Sequence, residues 1–488
     1  MKNIERIDTY FTDYYEIDPN ILENYGAYDI SLLGDLPLFI DPFLLFQSDK
    51  IEYQNLHSSI IEYLKYLRDV SLNRSITNGR LDTLFHFKEV KQNYLGFCAW
   101  NNEGRGLGKI FANALYNNLS KLLNTSEERS ILKSEHFEKL CLISPGVGRD
   151  MISDFTTNLI KEYLCCYTEK FAVKHIDKKY LSKIQIKRVK FDYKLEYWES
   201  KSYTLPIYNN SYVLLTPKDI LTRDENWINR SDYKANAFQI LSGGSNEELR
   251  SNLDHYLKKR LTEDATPKEI NDAKEEFVFK NVQLIDQYIR MKEDYGNDAL
   301  KQSAMYVVES ENIFRKQFGD LISRLNSETL FYNTGTTSKK ETIERINYLK
   351  DMIENKGCWT VLYNGETPIS REEDIHVLFR LVWCRTKYDV SHEVNDGYGP
   401  ADFKISMGLD KTVVEFKLAS NTHLKRNLQN QVEKYKIASD AKESFTVIFY
   451  FTDAELSKVI NILTELNLSH SEDIILIDAR KKKSASKI

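Results

Sequence analysis

One apolar strand carrying two opposite charges constrains this chain more than any other feature. Thr412-Val413-Val414-Glu415-Phe416-Lys417-Leu418 has the β-branched and aromatic content of a strand and follows a turn at Gly408-Leu409-Asp410. Side chains alternate along a strand, so Glu415 and Lys417 face the same side. Val413 and Val414 lead straight into the charged pair, which makes the strand central rather than peripheral. Charges placed in a central strand need a reason.

The flanking segments supply a context. Arg371 to Cys384 reads as a helix, with Ile375, Leu378, Phe379, Val382 and Trp383 at helical spacing and Glu372 and Glu373 in its first turn. Tyr388 to Val394 is a strand candidate, followed by the turn Asn395 to Pro400 and the strand Asp402 to Ser406. After the Glu415 strand come a helix from about Thr422 to Ala438, a buried strand Phe445 to Phe451, a helix Ala454 to Leu466 and a strand Ile474 to Ile477. The order is α-β-β-β-α-β with an appended α-β. Asp402 and Glu415 are 13 positions apart, enough for two hairpin strands and a turn, which puts both acids near one end of adjacent strands.

This combination resembles the core of the PD-(D/E)xK nuclease superfamily. Gly399-Pro400-Ala401-Asp402 stands where that family has its first acid, and Glu415-Phe416-Lys417 where it has E-x-K. Gln431 and Tyr435, one helical turn apart, match the Q-x-x-x-Y spacing of its RecB-like branch. The resemblance implies an α/β, restriction-endonuclease-like domain. It implies Asp402, Glu415 and the Phe416 carbonyl as metal ligands, and Lys417, Gln431 and Tyr435 as further catalytic residues. It also implies an acid from the leading helix, with Glu373 preferred and Glu372 second. Mg²⁺, with Mn²⁺ as a substitute, is the implied cofactor, because a hard cation takes oxygen ligands and keeps several waters. Such an ion polarises a phosphate and lowers the pKa of a bound water. A neighbouring lysine positions or deprotonates that water, or stabilises developing charge. Lys425, Arg426 and Lys434, on or near the Gln431 helix, are candidate phosphate contacts.

The remainder of the chain is less informative. Residues 1–240 mix strand and helix signals, 241–365 read as long amphipathic helices, and 366–488 hold the nuclease-like pattern. In the first segment, Leu36 to Ile40 and Phe43 to Phe46 read as two extended pieces around Asp41-Pro42. Helices are expected over His57 to Val70, Ile110 to Leu123 and Met151 to Tyr167, with strands between about Lys183 and Leu215. Pro267 opens a helix after Thr266. Gly104 to Lys109 lacks the Ser/Thr of a Walker motif and reads as a helix entry. Asp150 and Asp154, one turn apart after Gly146-Val147-Gly148-Arg149, suit capping and first-turn roles better than a metal or arginine contact.

Composition narrows the class. The 488 residues are 42% hydrophobic and 28% charged, with net charge −5 and pI about 6.1. A protein that coats nucleic acid non-specifically is usually basic, whereas a nuclease needs basic groups only around its cleft. Six cysteines without a C-x-x-C pair argue against a zinc ribbon. The absence of an apolar signal core or a long apolar run gives a cytoplasmic expectation with no membrane partner. The functional expectation is a metal-dependent DNA endonuclease, with DNA favoured over RNA, in a restriction or anti-phage setting. A repair or recombination nuclease and a non-catalytic DNA-binding scaffold are the other readings. Double-strand cleavage by a one-strand site implies paired copies, joined through the helical region.

Overall fold

The computed structural model describes residues 10–33, 35–73, 78–96, 107–123, 131–242, 247–261, 265–328, 337–383, 386–395, 400–408, 410–429 and 443–482. It is a mixed α/β chain. One cluster of buried apolar side chains runs from Phe11 to Ala479, so the N-terminal, helical and C-terminal parts share a continuous core.

The N-terminal part packs the helices Ile51–Asn73, Lys109–Leu122, Arg149–Leu159 and Lys161–His175 beside the antiparallel strands Leu181–Asp192, Tyr197–Tyr208 and Ser211–Tyr212. Two local expectations fail here. Phe43 to Phe46 is helical, within Pro42–Gln47: Asp41 caps this helix by accepting from Phe43 N at 3.0 Å, and Pro42 fills its first position. The helix expected over Met151 to Tyr167 breaks at Ile160 (φ −95°, ψ 14°) into the last two of the four helices.

Helices from Arg230–Ser242 to Phe318–Glu328 form the middle, with a π-helical stretch at Glu311–Gln317. Thr266 and Glu269 make the capping box that opens the Pro267 helix. Gly296 starts the helix Gly296–Ser310 against the side chain of Gln47 so closely that a Cβ would collide with it. Ser303 Oγ donates to Leu221 O at 2.7 Å, tying the same helix to the N-terminal part.

The C-terminal part holds a five-stranded sheet. Asp389–Asn395, Pro400–Met407 and Asp410–Leu418 form an antiparallel meander; Glu443–Tyr450 and Ile474–Asp478 then add in parallel on the far side of the Glu415 strand. That strand is therefore third of five. Its Val414, Phe416 and Leu418 side chains join the main core, where Phe416 meets Phe379 of the helix Glu372–Val382 at 4.5 Å between ring centroids. A smaller apolar cluster joins Ile448, Tyr450, Leu424 and Leu428 to Val459 of the helix Asp453–Glu465. The helix Ser338–Asn355, upstream of the boundary expected at 366, packs on this sheet. Its Ser338 Oγ lies 2.6 Å from Asp410 Oδ1 and 2.8 Å from Thr412 Oγ1.

Candidate active site

The buried charges of the Glu415 strand meet charges from two other elements. Lys417 Nζ lies 3.2 Å from Glu415 Oε2, 3.3 Å from Glu372 Oε2 and 3.6 Å from Asp402 Oδ2. Strand alternation places Glu415 beside Lys417, the meander brings Asp402 alongside, and the first turn of the Glu372–Val382 helix delivers Glu372. Glu415 and Lys417 are both buried.

Backbone donors fix the carboxylates. Phe416 N donates to Asp402 Oδ2 at 2.6 Å, just beyond the last ladder pair, Val414 with Phe403. Leu418 N, at 3.4 Å, and Asn421 Nδ2, at 3.0 Å, both donate to Glu372 Oε1. Asn421 also accepts from His423 N at 2.8 Å, opening the short helical stretch 424–429, and Lys458 Nζ donates to the carbonyls of Ala419 and Asn421 at 2.8 Å each. The turn that supports Glu372 is thus held on both sides.

Electrostatics follow from this packing. Burial alone would raise the Asp402 carboxyl. His376, whose Nε2 stands 3.2 Å away, outweighs it together with Lys417 and the Phe416 N–H, and the group is held well below the usual carboxylate range. Burial would lower Lys417, but Asp402, Glu415 and Glu372 outweigh it and hold the amine above its ordinary value. Asp402 is therefore ionised beside the Lys417 ammonium.

Among the described residues, no three His, Cys, Asp or Glu side chains stand at metal-ligand spacing, and the Lys417 ammonium holds the point on which the three carboxylates converge. The donor set is nevertheless all carboxylate oxygen, which suits a hard divalent ion.

Of the other expected residues, Glu373 turns away from Lys417 towards Arg371, with Nε to Oε2 at 3.7 Å; Glu372 makes the contact instead. Successive helix positions differ by about 100°, so only one of the pair can point at the strand. Phe416 buries its ring in the core. Lys425 is ion-paired with Glu465 on the surface, and Arg426 is exposed. Gln431, Lys434 and Tyr435 lie outside the described residues. Two contributors escaped the sequence reading. His376 sits one turn after Glu372, an i, i+4 spacing that could have flagged it. Asn421, three residues beyond the Glu415 strand, is the second.

The Glu372 helix is gripped by the N-terminal part. Arg223 Nη2 donates to Asp374 Oδ2 at 2.5 Å, both side chains buried, while Arg223 Nη1 lies 3.2 Å from Glu309 of the helical middle. Arg371 Nη1 donates to Asp224 Oδ1 at 2.5 Å. Arg380 donates to the Asp35 carbonyl.

A family model described as Domain of unknown function (DUF8370) matches residues 16–229, and one described as Domain of unknown function (DUF8371) matches residues 338–453. The first contains Arg223 and Asp224; the second contains Glu372, Asp402, Glu415 and Lys417. No curated protein and no solved structure matches the chain.

Proposed function

We propose that the chain is a metal-dependent phosphodiester hydrolase of the PD-(D/E)xK type, acting on DNA as an endonuclease. The observation that carries the reading is the convergence of Glu372, Asp402 and Glu415 on Lys417 from a helix and two adjacent strands. The order of helix, antiparallel meander and parallel strands supports a restriction-endonuclease-like core. Three acids clustered around one buried lysine serve poorly as structural filler, since well-packed apolar residues of similar volume often stabilise as much or more.

Glu372, Asp402 and Glu415 would hold Mg²⁺, which when bound polarises the phosphate and lowers the pKa of a coordinated water. His376 and the Phe416 N–H keep Asp402 ionised and oriented. Asn421 and the Leu418 N–H do the orienting for Glu372. Lys417, placed among these carboxylates, stabilises negative charge on the phosphate. A restriction or anti-phage role is the setting in which we place the enzyme.

The test is incubation of full-length wild type and Asp402→Ala with plasmid, single-stranded DNA and RNA in Mg²⁺, Mn²⁺ or EDTA. Cutting of DNA that requires the metal and is lost in the variant is expected. Metal-dependent cutting that persists in Asp402→Ala would place the chemistry elsewhere. DNA binding with no cutting in any condition would favour a scaffold.

A further inference from the structure

Two helices of eleven residues begin at one cleft, each with an arginine at its start: one as first residue, the other as N-cap. The cleft, about 520 Å³, shares Glu372 with the carboxylate–lysine cluster and is lined also by Arg149, Asp224, Arg371, Ser420 and Asn421. Arg149 is the first residue of Arg149–Leu159, and Arg371 is the N-cap of Glu372–Val382. Neither helix has a side-chain cap. A helix N-terminus offers unpaired N–H groups and the positive end of the dipole, so it favours an anion and disfavours a guanidinium.

The two arginines are also close enough to repel. Burial pulls Arg149 below the ordinary guanidinium value, and Arg371 adds to the effect while Glu225 opposes it. Acids hold the pair in place: Arg371 is bonded to Asp224, and Arg149 Nη1 lies 3.8 Å from Glu225 with its guanidinium 4.9 Å over the Phe39 ring. One donor is left over. Arg371 Nη2 is buried and has no hydrogen-bond partner among the described residues. An unmet guanidinium donor is costly, and a phosphate oxygen is the acceptor that matches its planar fork. The acids that would have to give way, Asp224, Glu225 and Glu373, are 43%, 49% and 36% exposed, so each can turn to water when a phosphate enters.

We propose that this cleft is a phosphodiester-binding subsite, in which Arg149 and Arg371 grip a DNA backbone phosphate next to the one held at the carboxylate–lysine cluster. The proposal rests on the nuclease reading and extends it. Arg149 comes from the N-terminal part and Arg371 from the C-terminal part, so the DNA strand is held by both, and the N-terminal part becomes a direct participant in substrate binding.

The experiment is equilibrium binding of a fluorescent DNA duplex to the full-length chain in Ca²⁺ over a salt series, with cleavage in Mg²⁺ measured alongside. Arg149→Gln and Arg371→Gln are each expected to weaken binding about tenfold, from the loss of one charge-assisted contact. Each should also reduce the slope of log K against log salt by about one. Arg149→Lys and Arg371→Lys keep the charge and guard against misfolding; they should restore the salt slope but not all of the affinity. Unchanged affinity and slope in both Gln variants overturn the subsite, even if wild type cuts DNA. Arginine-dependent binding with no cutting by wild type supports the subsite and overturns the nuclease reading. A wild type that neither binds nor cuts overturns both.

Discussion

Asp402 in the C-terminal cluster and Asp35 in the N-terminal part are both withdrawn from water, yet their surroundings differ. Asp402 has Lys417 and His376 within ion-pair reach, which outweigh burial and hold it low. Asp35 is pushed up to about 8, because burial is only partly opposed by Arg380 and Lys91 and is reinforced by Glu89 and Asp150. Asp150 is raised to about 6 by burial and Glu89, and Asp154 well above its ordinary value by burial, Asp150, Glu89 and Asp35. Burial alone does not prepare a carboxylate for a cation; the local counter-charge decides. Asp402 is ionised at neutral pH, whereas Asp35 retains its proton there.

The contrast can be attacked first where an acid has a buried cationic partner. Asp374→Ala would strand Arg223, and stability should fall by about 3–5 kcal/mol. Urea unfolding with a change below about 1 kcal/mol would mean that Glu309 suffices as partner. A sharper cut separates neighbours on one helix. Glu372→Gln should lower Mg²⁺-dependent cleavage about 100-fold, a loss typical of a group that orients or ligates at a metal site, and should weaken Mn²⁺ binding. Glu373→Gln should leave both within about threefold, since it removes only a 3.7 Å pair with Arg371, which keeps its bond to Asp224. Calorimetry and initial rates together check this, and equal losses would mean that both acids serve the site.

The third comparison uses pH. Asp35 titrates near 4 when unfolded and near 8 when folded, so between these values only the folded chain holds the proton. Its contribution is complete below about pH 4 and is lost as pH rises through about 8, at up to about 1.4 kcal/mol per pH unit. Asp35→Asn should make the fall of melting temperature between pH 5 and 8 shallower; an unaltered profile would mean that Asp35 is ionised in the fold. The smallest effect belongs to the surface. Lys425→Ala removes an exposed pair with Glu465 and should change stability by less than about 0.5 kcal/mol in urea titration.

Much of the C-terminal sheet was legible because strand and helix periods change in an unambiguous order there. The Glu415–Lys417 face followed from a period of two, and the helix start after Thr266 from the proline that follows it. Asp41-Pro42 misled because an N-cap followed by proline also looks like a turn between strands. The choice between Glu372 and Glu373 needed the helix's rotation against the strand, which apolar spacing fixes only to within a residue. The cleft was beyond any local reading, since Arg149 and Arg371 are separated by more than 200 positions and meet only through the shared core.

The central place of the Glu415 strand also orders events during synthesis. Its antiparallel neighbour leaves the ribosome before it, whereas its parallel neighbour, Glu443–Tyr450, and the outer strand, Ile474–Asp478, emerge only afterwards. Until then the strand has one bare edge, and Lys417 faces a half-built layer. The nascent polypeptide thus carries every acid of the cluster for some time before it has the scaffold that aims them.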